Sequence, residues 1–177
     1  HGWEFSFQCD YKGNMRYHDL KIGIVGAGSV GVSLAVALTS KGYNVELVNN
    51  KCDRICIGCA EVFNIFGDFG DISYLVPTVK SIDDFTSKKD FIICATKAYD
   101  TISYAKSLSR HLSKVGAVVS IQNAFSADRL MRLIPADKSI CMYMDIYCKS
   151  YPQICFRHWR YNSRSIQQRC LFQDESI

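Results

Sequence analysis

The stretch that decides the fold runs from residue 21 to residue 31 and reads Lys21-Ile22-Gly23-Ile24-Val25-Gly26-Ala27-Gly28-Ser29-Val30-Gly31. The run from 21 to 25 is short and apolar, which predicts a buried strand, and residues 29–40 predict a helix that ends at Lys41-Gly42. A second strand is predicted over residues 44–48. Strand, turn, helix and strand therefore follow one another over the length of one right-handed crossover unit.

The glycine turn between the first strand and the helix has the chemistry of a phosphate site. A helix N-terminus offers backbone N–H groups and the positive end of its dipole to an anion. Gly26 would permit the tight turn, Gly28 the close approach of a pyrophosphate, and Gly31 the close packing of helix on strand. We therefore predict that a dinucleotide binds at Gly26, Ala27, Gly28, Ser29, Val30 and Gly31. The alternative is a glycine-rich turn that binds nothing.

Strands and helices continue to alternate after this unit. Strands are predicted at 61–66 and 72–76 around the turn Gly67–Gly70, at 90–95 and at 117–121; helices are predicted from Ser81, at 99–112 and at 127–133. Gly116 is expected to break the helix at 99–112. This alternation predicts an α/β fold, a Rossmann-type doubly wound, mostly parallel sheet covered on both faces.

The apolar spacing of the two longer helices predicts which side of each is buried. For the helix at 29–40 the predicted face consists of Val30, Leu34, Ala37 and Leu38, and for the helix at 99–112 it consists of Ile102, Ala105, Leu108 and Leu112. The domain limits follow from the same pattern. Residues 1–19 are expected to be an extension, 20–145 the dinucleotide-binding domain, and 146–177 a divergent tail that is irregular or a marginal helix.

Composition excludes several functional classes. The chain has 177 residues, 48% hydrophobic residues and a net charge of +4, which is too mild to indicate nucleic-acid binding. The uncharged run from Ile22 to Ser40 resembles a membrane span in length, but its glycines and hydroxyl residues fit a strand, a turn and a buried helix better. We expect no membrane segment.

Nine cysteines are an odd number, and several lie in apolar runs, which predicts free thiols in a reducing compartment and thus a cytoplasmic protein. Cys52, Cys56 and Cys59 have the spacing of an iron–sulfur site. Chance spacing explains them better in so cysteine-rich a chain, and no metal site is predicted.

The end of the second strand bears on the choice of cofactor. NAD-binding domains usually place Asp or Glu there to accept a hydrogen bond from the ribose 2′-OH. This chain has Asn49, Asn50 and Lys51, with Arg54 nearby. No acid is present and cations are close, so we predict NADP (NADPH) as the cofactor, with Asn50 and Lys51 beside its 2′-phosphate. The alternative is that these cations are ordinary solvated loop charges.

Three segments together resemble the N-terminal domain of the ketopantoate reductase (2-dehydropantoate 2-reductase) family. The opening 21–31 is similar to the start of that family. Ala95-Thr96-Lys97-Ala98-Tyr99 matches a lysine that the family carries directly after a strand, and Ile121-Gln122-Asn123-Ala124 resembles its Gln-Asn-Gly. The order and spacing agree over residues 20 to about 140.

This resemblance implies an NADP-dependent oxidoreductase of pantothenate biosynthesis that reduces a small-molecule 2-keto acid, 2-dehydropantoate, by hydride transfer. It implies that Lys97 contacts the cofactor and that Asn123 contacts both the nicotinamide side and the substrate. Two departures are local: Asn50 stands where the family often has arginine, and Ala124 replaces a glycine.

The family also has a helical second domain, which supplies its proton donor and most of its substrate contacts. We expect that domain to be absent or truncated here. No catalytic residue is therefore assigned. The alternatives are a non-catalytic NADP(H)-binding module or truncated subunit, and another dehydrogenase family with the same turn, such as those acting on 6-phosphogluconate or glycerol 3-phosphate. Without its second domain such a unit would expose apolar surface, so we expect a homo-oligomer or a missing second domain as partner.

Overall fold

The computed structural model describes residues 17–51, 59–67, 71–122, 129–130, 132–142, 145–150 and 154–160. The strands are β1 (Lys21–Val25), β2 (Asn44–Val48), β3 (Ala60–Gly67), β4 (Ile72–Val79), β5 (Lys89–Cys94), β6 (Leu112–Ser120), β7 (Ser139–Cys141), β8 (Asp145–Ser150) and β9 (Ile154–Arg160). The helices are α1 (Ser29–Ser40) and α2 (Ala98–His111), with short 3₁₀ turns at Tyr17–Asp19, Ile82–Asp84 and Ala136–Lys138.

The nine strands form one sheet in the order β7-β6-β5-β1-β2-β4-β3-β9-β8. The six strands from β7 to β4 in this order are all parallel to one another. Numbered 1 to 6 along the chain, these six strands lie side by side in the order 6-5-4-1-2-3. Read from the other end, this is the strand order of the doubly wound dinucleotide-binding sheet. The predicted fold class is confirmed, and the order of the strands reverses between β1 and β5, where ligands bind in such sheets.

The other end of the sheet departs from this parallel pattern. Strand β3 runs antiparallel to β4 and parallel to β9, and β8 and β9 are antiparallel neighbours. The expectation of an irregular or helical segment over residues 146–177 is therefore wrong for residues 146–150 and 154–160. Strand β9 pairs with residues 65–67 of β3, a partner so distant in sequence that local periodicity carried no sign of it.

Helices cover both faces of the sheet. One apolar cluster joins alternate residues of β1 and β2 to α1. The other joins Val25, at the end of β1, and Val48, at the end of β2, to β5, α2 and β6. Ala105, Leu108 and Leu112 are buried as predicted, whereas the side chain of Ile102 lies outside the described residues.

The face of α1 differs from the prediction. Its buried residues are Gly31, Val32, Ser33, Ala35 and Val36. Leu34 and Leu38 are only partly buried against the same cluster. The helix is apolar around most of its circumference, so periodicity does not select one side. The side that faces the sheet is the one that carries Gly31 and Ala35, where small residues let the helix approach closely.

Most predicted boundaries agree with the structure, and β1, α1 and β2 begin and end where expected. Gly116, however, does not break a helix: α2 ends at His111 and β6 begins at once. A Cβ at Gly116 would lie 2.7 Å from the carbonyl oxygen of Lys89, where the pairing of β5 with β6 is irregular. The absence of a side chain at Gly116 therefore allows β5 and β6 to approach each other closely.

Among the described residues no helix is long and apolar enough to cross a membrane. The expectation of free thiols holds for Cys94, which is buried, but it is wrong for Cys59, which is disulfide-bonded. The predicted turn at 67–70 falls largely outside the described residues, and residues 1–16 lie wholly outside them. Of the predicted helix at 127–133, residues 129–130 are helical and 132–133 form a turn.

A buried ion pair ties the first residue of β5 to the middle of β2. The Nζ of Lys89 lies 2.7 Å from a carboxylate oxygen of Glu46, and the two side chains are 1% and 8% exposed. Thr86 donates its backbone N–H to the same carboxylate at 3.2 Å, and Nζ lies 4.9 Å from the centre of the Phe85 ring. Each charge thus depends on the other, because neither can be solvated by water.

We expect Glu46→Leu to lower the free energy of unfolding by about 3–5 kcal/mol, because it leaves the Lys89 ammonium buried without its partner. The double variant Glu46→Leu/Lys89→Met should regain most of that loss, since it removes both charges. Urea unfolding followed by circular dichroism measures both. A double variant no more stable than the single one would contradict a mutual dependence of the two charges.

Candidate functional site

The carboxyl ends of the parallel strands form one continuous edge. Backbone hydrogen bonds continue across it just past the strand ends: Asn49 donates to Val79, Gly26 to Val48, Ala95 to Val25, Ile121 to Cys94 and Met142 to Ser120. The loops that follow β2, β1, β5 and β6 therefore begin side by side. The glycine turn lies between the loop after β2 and the loop after β5.

Gly26 adopts a conformation that favours glycine. Its φ is +110°, and a Cβ there would lie 2.8 Å from the Thr96 methyl carbon and 3.0 Å from the Thr96 backbone nitrogen. The turn after β1 thus packs closely against the segment after β5, and a side chain at residue 26 would force the two apart.

Gly31 brings the first turn of α1 onto the glycine turn itself. A Cβ at Gly31 would lie 1.9 Å from the carbonyl oxygen of Gly26 and 3.3 Å from the Cβ of Ala95. No backbone atom can be that close to a side-chain carbon, so the observed packing requires glycine. Ala27, in the same turn, packs against the cluster beneath α1.

Gly28 is different, because nothing in the protein lies within 4 Å of a Cβ built there. Its φ of −81° is open to any residue, and it stands as the exposed N-cap of α1. The first turn of α1, which includes Ser29 and Val30, has no side-chain cap and no acidic residue. Space is therefore open beside Gly28 at a helix N-terminus that has no side-chain cap, and this arrangement suits an anion.

The loop after β2 is organised by Asn49. The backbone N–H of Lys51 donates to Asn49 Oδ1 at 3.2 Å, and Asn49 Nδ2 donates to a carboxylate oxygen of Glu61 at 3.2 Å. Asn50 and Lys51 are exposed at this edge. Residues 49–51 include no acid, but β3 brings the Glu61 carboxylate to the end of β2 from outside the loop.

The loop after β5 is held from two sides. Gln122, just past β6, donates Nε2 to the carbonyl oxygen of Thr96 at 2.7 Å and to its Oγ1 at 3.2 Å. Tyr104 of α2 shares a hydrogen bond with the same Oγ1. Lys97 follows as the exposed N-cap of α2. No local pattern predicts a role for Gln122 or Tyr104, since only the folded chain brings them to Thr96.

The thiol of Cys94 lies directly beneath this loop at the end of β5. Burial in the apolar core raises its pKa to about 12, although a hydrogen bond with Tyr104 opposes the shift. The group is thus a protonated, unreactive thiol at neutral pH. It fills the core rather than taking part in chemistry at the edge.

The structure brings most of the predicted site together. The turn 26–31 lies between Asn50 and Lys51 on one side and Lys97 on the other, while Asn123 lies outside the described residues. Within the described part of the chain no group of His, Cys, Asp or Glu could hold a metal ion. Cys52 and Cys56, which with Cys59 have the spacing of an iron–sulfur site, lie outside the described residues.

Comparison with known proteins agrees with this geometry. The sequence model of the family described as ketopantoate reductase PanE/ApbA matches residues 22–150. The sequence has no significant match among curated proteins.

Solved structures share the fold at low sequence identity. A 2-dehydropantoate 2-reductase from Geobacter metallireducens is 20% identical with a TM-score of 0.66, over 78% of this chain and 46% of that one. A dimeric ketopantoate reductase from Staphylococcus aureus is 17% identical with a TM-score of 0.57, over 78% and 49%. D-mandelate dehydrogenase, solved with NADH, is 18% identical with a TM-score of 0.64, over 77% and 45%. The chain thus spans about half the length of these structures.

Two glycine variants should separate packing from ligand approach. Gly31→Ala should lower the free energy of unfolding by about 2 kcal/mol or more, because its methyl group collides with the Gly26 carbonyl. Gly28→Ala should cost about 1 kcal/mol or less, since its Cβ meets no protein atom. Thermal unfolding measures both, and equal losses would contradict the different roles assigned to these glycines.

Cys94 should resist alkylation in the folded protein. Because the pKa of its thiol is raised to about 12, the reactive thiolate is scarce at pH 7–9, and burial blocks access. Iodoacetamide labelling followed by peptide mass spectrometry should modify Cys94 only after unfolding in denaturant. Rapid labelling under native conditions at pH 8 would show that this thiol is neither buried nor protonated.

Proposed function

Because this chain belongs to the ketopantoate reductase family, whose sequence model covers residues 22–150, we propose that it is the cofactor-binding half of an NADP-dependent reductase of 2-keto acids. The substrate proposed with it is 2-dehydropantoate, reduced to pantoate in pantothenate biosynthesis. The family membership supports an oxidoreductase that uses a nicotinamide dinucleotide. The choice of NADP and the identity of the substrate go beyond the family membership and are part of the proposal.

The single observation that carries the proposal is the open N-terminus of α1. Gly26 and Gly31 are explained by contacts within the protein, whereas Gly28 is not. A residue without a side chain, placed before an uncapped helix with no acid in its first turn, suits a ligand that must touch the backbone. The pyrophosphate of a dinucleotide is such a ligand, so the residues present fit the cofactor.

The two sides of the turn would hold the two ends of the cofactor. On the side of β2, Asn50 and Lys51 lie at the exposed edge, where the adenosine ribose of a dinucleotide is bound in this fold. The Lys51 ammonium would attract a 2′-phosphate, which supports NADP over NAD.

On the side of β5, Lys97 stands at the start of α2 where a cation can meet the phosphates or a carboxylate. Gln122 and Tyr104 fix the loop that carries Lys97 through their hydrogen bonds to Thr96. Asn123 follows Gln122 in the chain and is proposed to contact the nicotinamide side and the substrate.

When bound, the reduced nicotinamide supplies a hydride for the carbonyl carbon of the keto acid. The contribution of this chain is binding and orientation: its helix N-terminus holds the phosphates, and its lysine and amide side chains place the reacting ends within roughly 3–3.5 Å of one another. A proton is also needed on the carbonyl oxygen. We assign no residue of this chain to that step.

A second candidate is a module that binds NADP(H) without turnover. The observation that favours it is exposed apolar surface on two neighbouring strands. Val62 and Leu75, which are directly paired on β3 and β4, are 62% and 59% exposed. Apolar exposure of this kind suits association with a second copy or with a further domain.

Binding and turnover should separate the two candidates. We expect NADPH to raise the melting temperature of the chain, because a ligand that binds only the folded state stabilises it. If the chain then oxidises NADPH with 2-dehydropantoate, the hypothesis of a module without turnover is wrong. If the chain binds NADPH but turns over only when a helical second domain of the family is added, the hypothesis that this chain alone is an enzyme is wrong. No stabilisation by NADPH would overturn both.

Lys97→Met should weaken NADPH binding about tenfold, a loss of about 1.4 kcal/mol, because it removes a cation beside the phosphates. Lys106→Met is the matched control, since Lys106 is an exposed lysine further along α2. Calorimetric titration of each variant measures the effect. Equal affinities in the two variants would remove Lys97 from the cofactor site.

A further inference from the structure

Glu61 reaches the ligand-binding edge because β3 runs against the direction of its neighbour. Strand β4 is parallel to β2 and ends at the carboxyl edge, and β3 is antiparallel to β4. The start of β3 therefore lies at this edge, with Glu61 paired to Val76 and the Cys59 carbonyl oxygen accepting from the N–H of Thr78. A carboxylate twelve residues beyond Asn49 in the chain thus comes beside it.

The carboxylate is held there by hydrogen bonds that also shape the loop after β2. Asn49 is the first residue after β2, and its Nδ2 donates to Glu61 while its Oδ1 accepts from the N–H of Lys51. Glu61 is half-buried, so its charge is only partly screened by water. Asn49 therefore occupies the position at which NAD-binding domains carry an acid, and a fixed acid stands directly behind it.

We propose that Glu61 sets the choice between the two nicotinamide cofactors. It limits how much more tightly the chain binds NADPH than NADH, so that the chain also binds NADH. This inference rests on the function proposed above. Lys51 attracts a 2′-phosphate, and the Glu61 carboxylate repels it across Asn49, so the two charges largely oppose each other. NADH carries a neutral 2′-hydroxyl in place of that phosphate and does not meet this repulsion.

The test is the ratio of the Kd for NADH to the Kd for NADPH, measured by calorimetry on the full chain. In the wild type the two constants should differ by no more than about tenfold. Glu61→Gln keeps an oxygen that accepts from Asn49 and removes the charge, so it should widen the ratio roughly fivefold to thirtyfold in favour of NADPH. Adenosine 2′,5′-bisphosphate should gain affinity by a similar factor, whereas AMP, which lacks the 2′-phosphate, should not.

Asp71→Asn is the matched control. Asp71 is exposed and precedes β4, at the opposite edge of the sheet, so the same change in net charge should leave the ratio as in the wild type. A variant that merely destabilises the chain would weaken both dinucleotides together and leave their ratio unchanged.

The outcomes distinguish this inference from the proposed function. If the wild type binds both dinucleotides and Glu61→Gln leaves the ratio unchanged or moves it toward NADH, the role of Glu61 is overturned and the proposed function stands. A wild type that already prefers NADPH more than about a hundredfold overturns it without any variant. If the wild type binds neither dinucleotide, the proposed function falls and this inference falls with it.

Discussion

The contact between the first turn of α1 and the carbonyl oxygen of Gly26 is the constraint on which the rest of this structure depends. A Cβ at Gly31 would lie 1.9 Å from that oxygen, so the helix can sit where it does only because residue 31 has no side chain. The same contact brings α1 against β1 and aims its uncapped N-terminus at the edge where the strands end. Everything proposed about ligand binding follows from that placement, since a helix set further from the sheet would direct its N–H groups elsewhere.

Charged side chains lie both inside the sheet and at its carboxyl edge, and the two groups have different roles. The one buried ion pair in the described part of the chain, Lys89 with Glu46, lies within the sheet and ties β5 to β2. The exposed carboxyl edge instead carries Lys51 and Lys97 on either side of the glycine turn, with Glu61 held behind Asn49. An anionic ligand at the turn would thus meet cations at both ends and one opposing carboxylate, which makes the β2 side the place where cofactors can be distinguished.

Much of this could be predicted from sequence, because the deciding features are local. The strand 21–25, the helix 29–40 and the strand 44–48 were recognisable from apolar runs and from glycines at fixed spacing, and the alternation beyond them indicated the parallel sheet. The remainder depends on contacts between distant residues. The buried side of α1 was predicted wrongly because the helix is apolar nearly all round. The strands β8 and β9 were missed because β9 pairs with β3, which lies far from it in the sequence. The position of Glu61 was missed because it depends on Asn49, twelve residues earlier, lying beside it in the folded chain.

The proposed site for the phosphates of a nicotinamide dinucleotide is the open N-terminus of α1. Its most direct test is a titration of the ¹⁵N-labelled chain with NADPH, followed by the backbone amide signals in NMR spectra. We expect the amides of Gly28, Ser29, Val30 and Gly31 to shift most and to saturate with one NADPH per chain. Saturable binding that leaves these four amides unmoved, with shifts elsewhere in the chain, would contradict it.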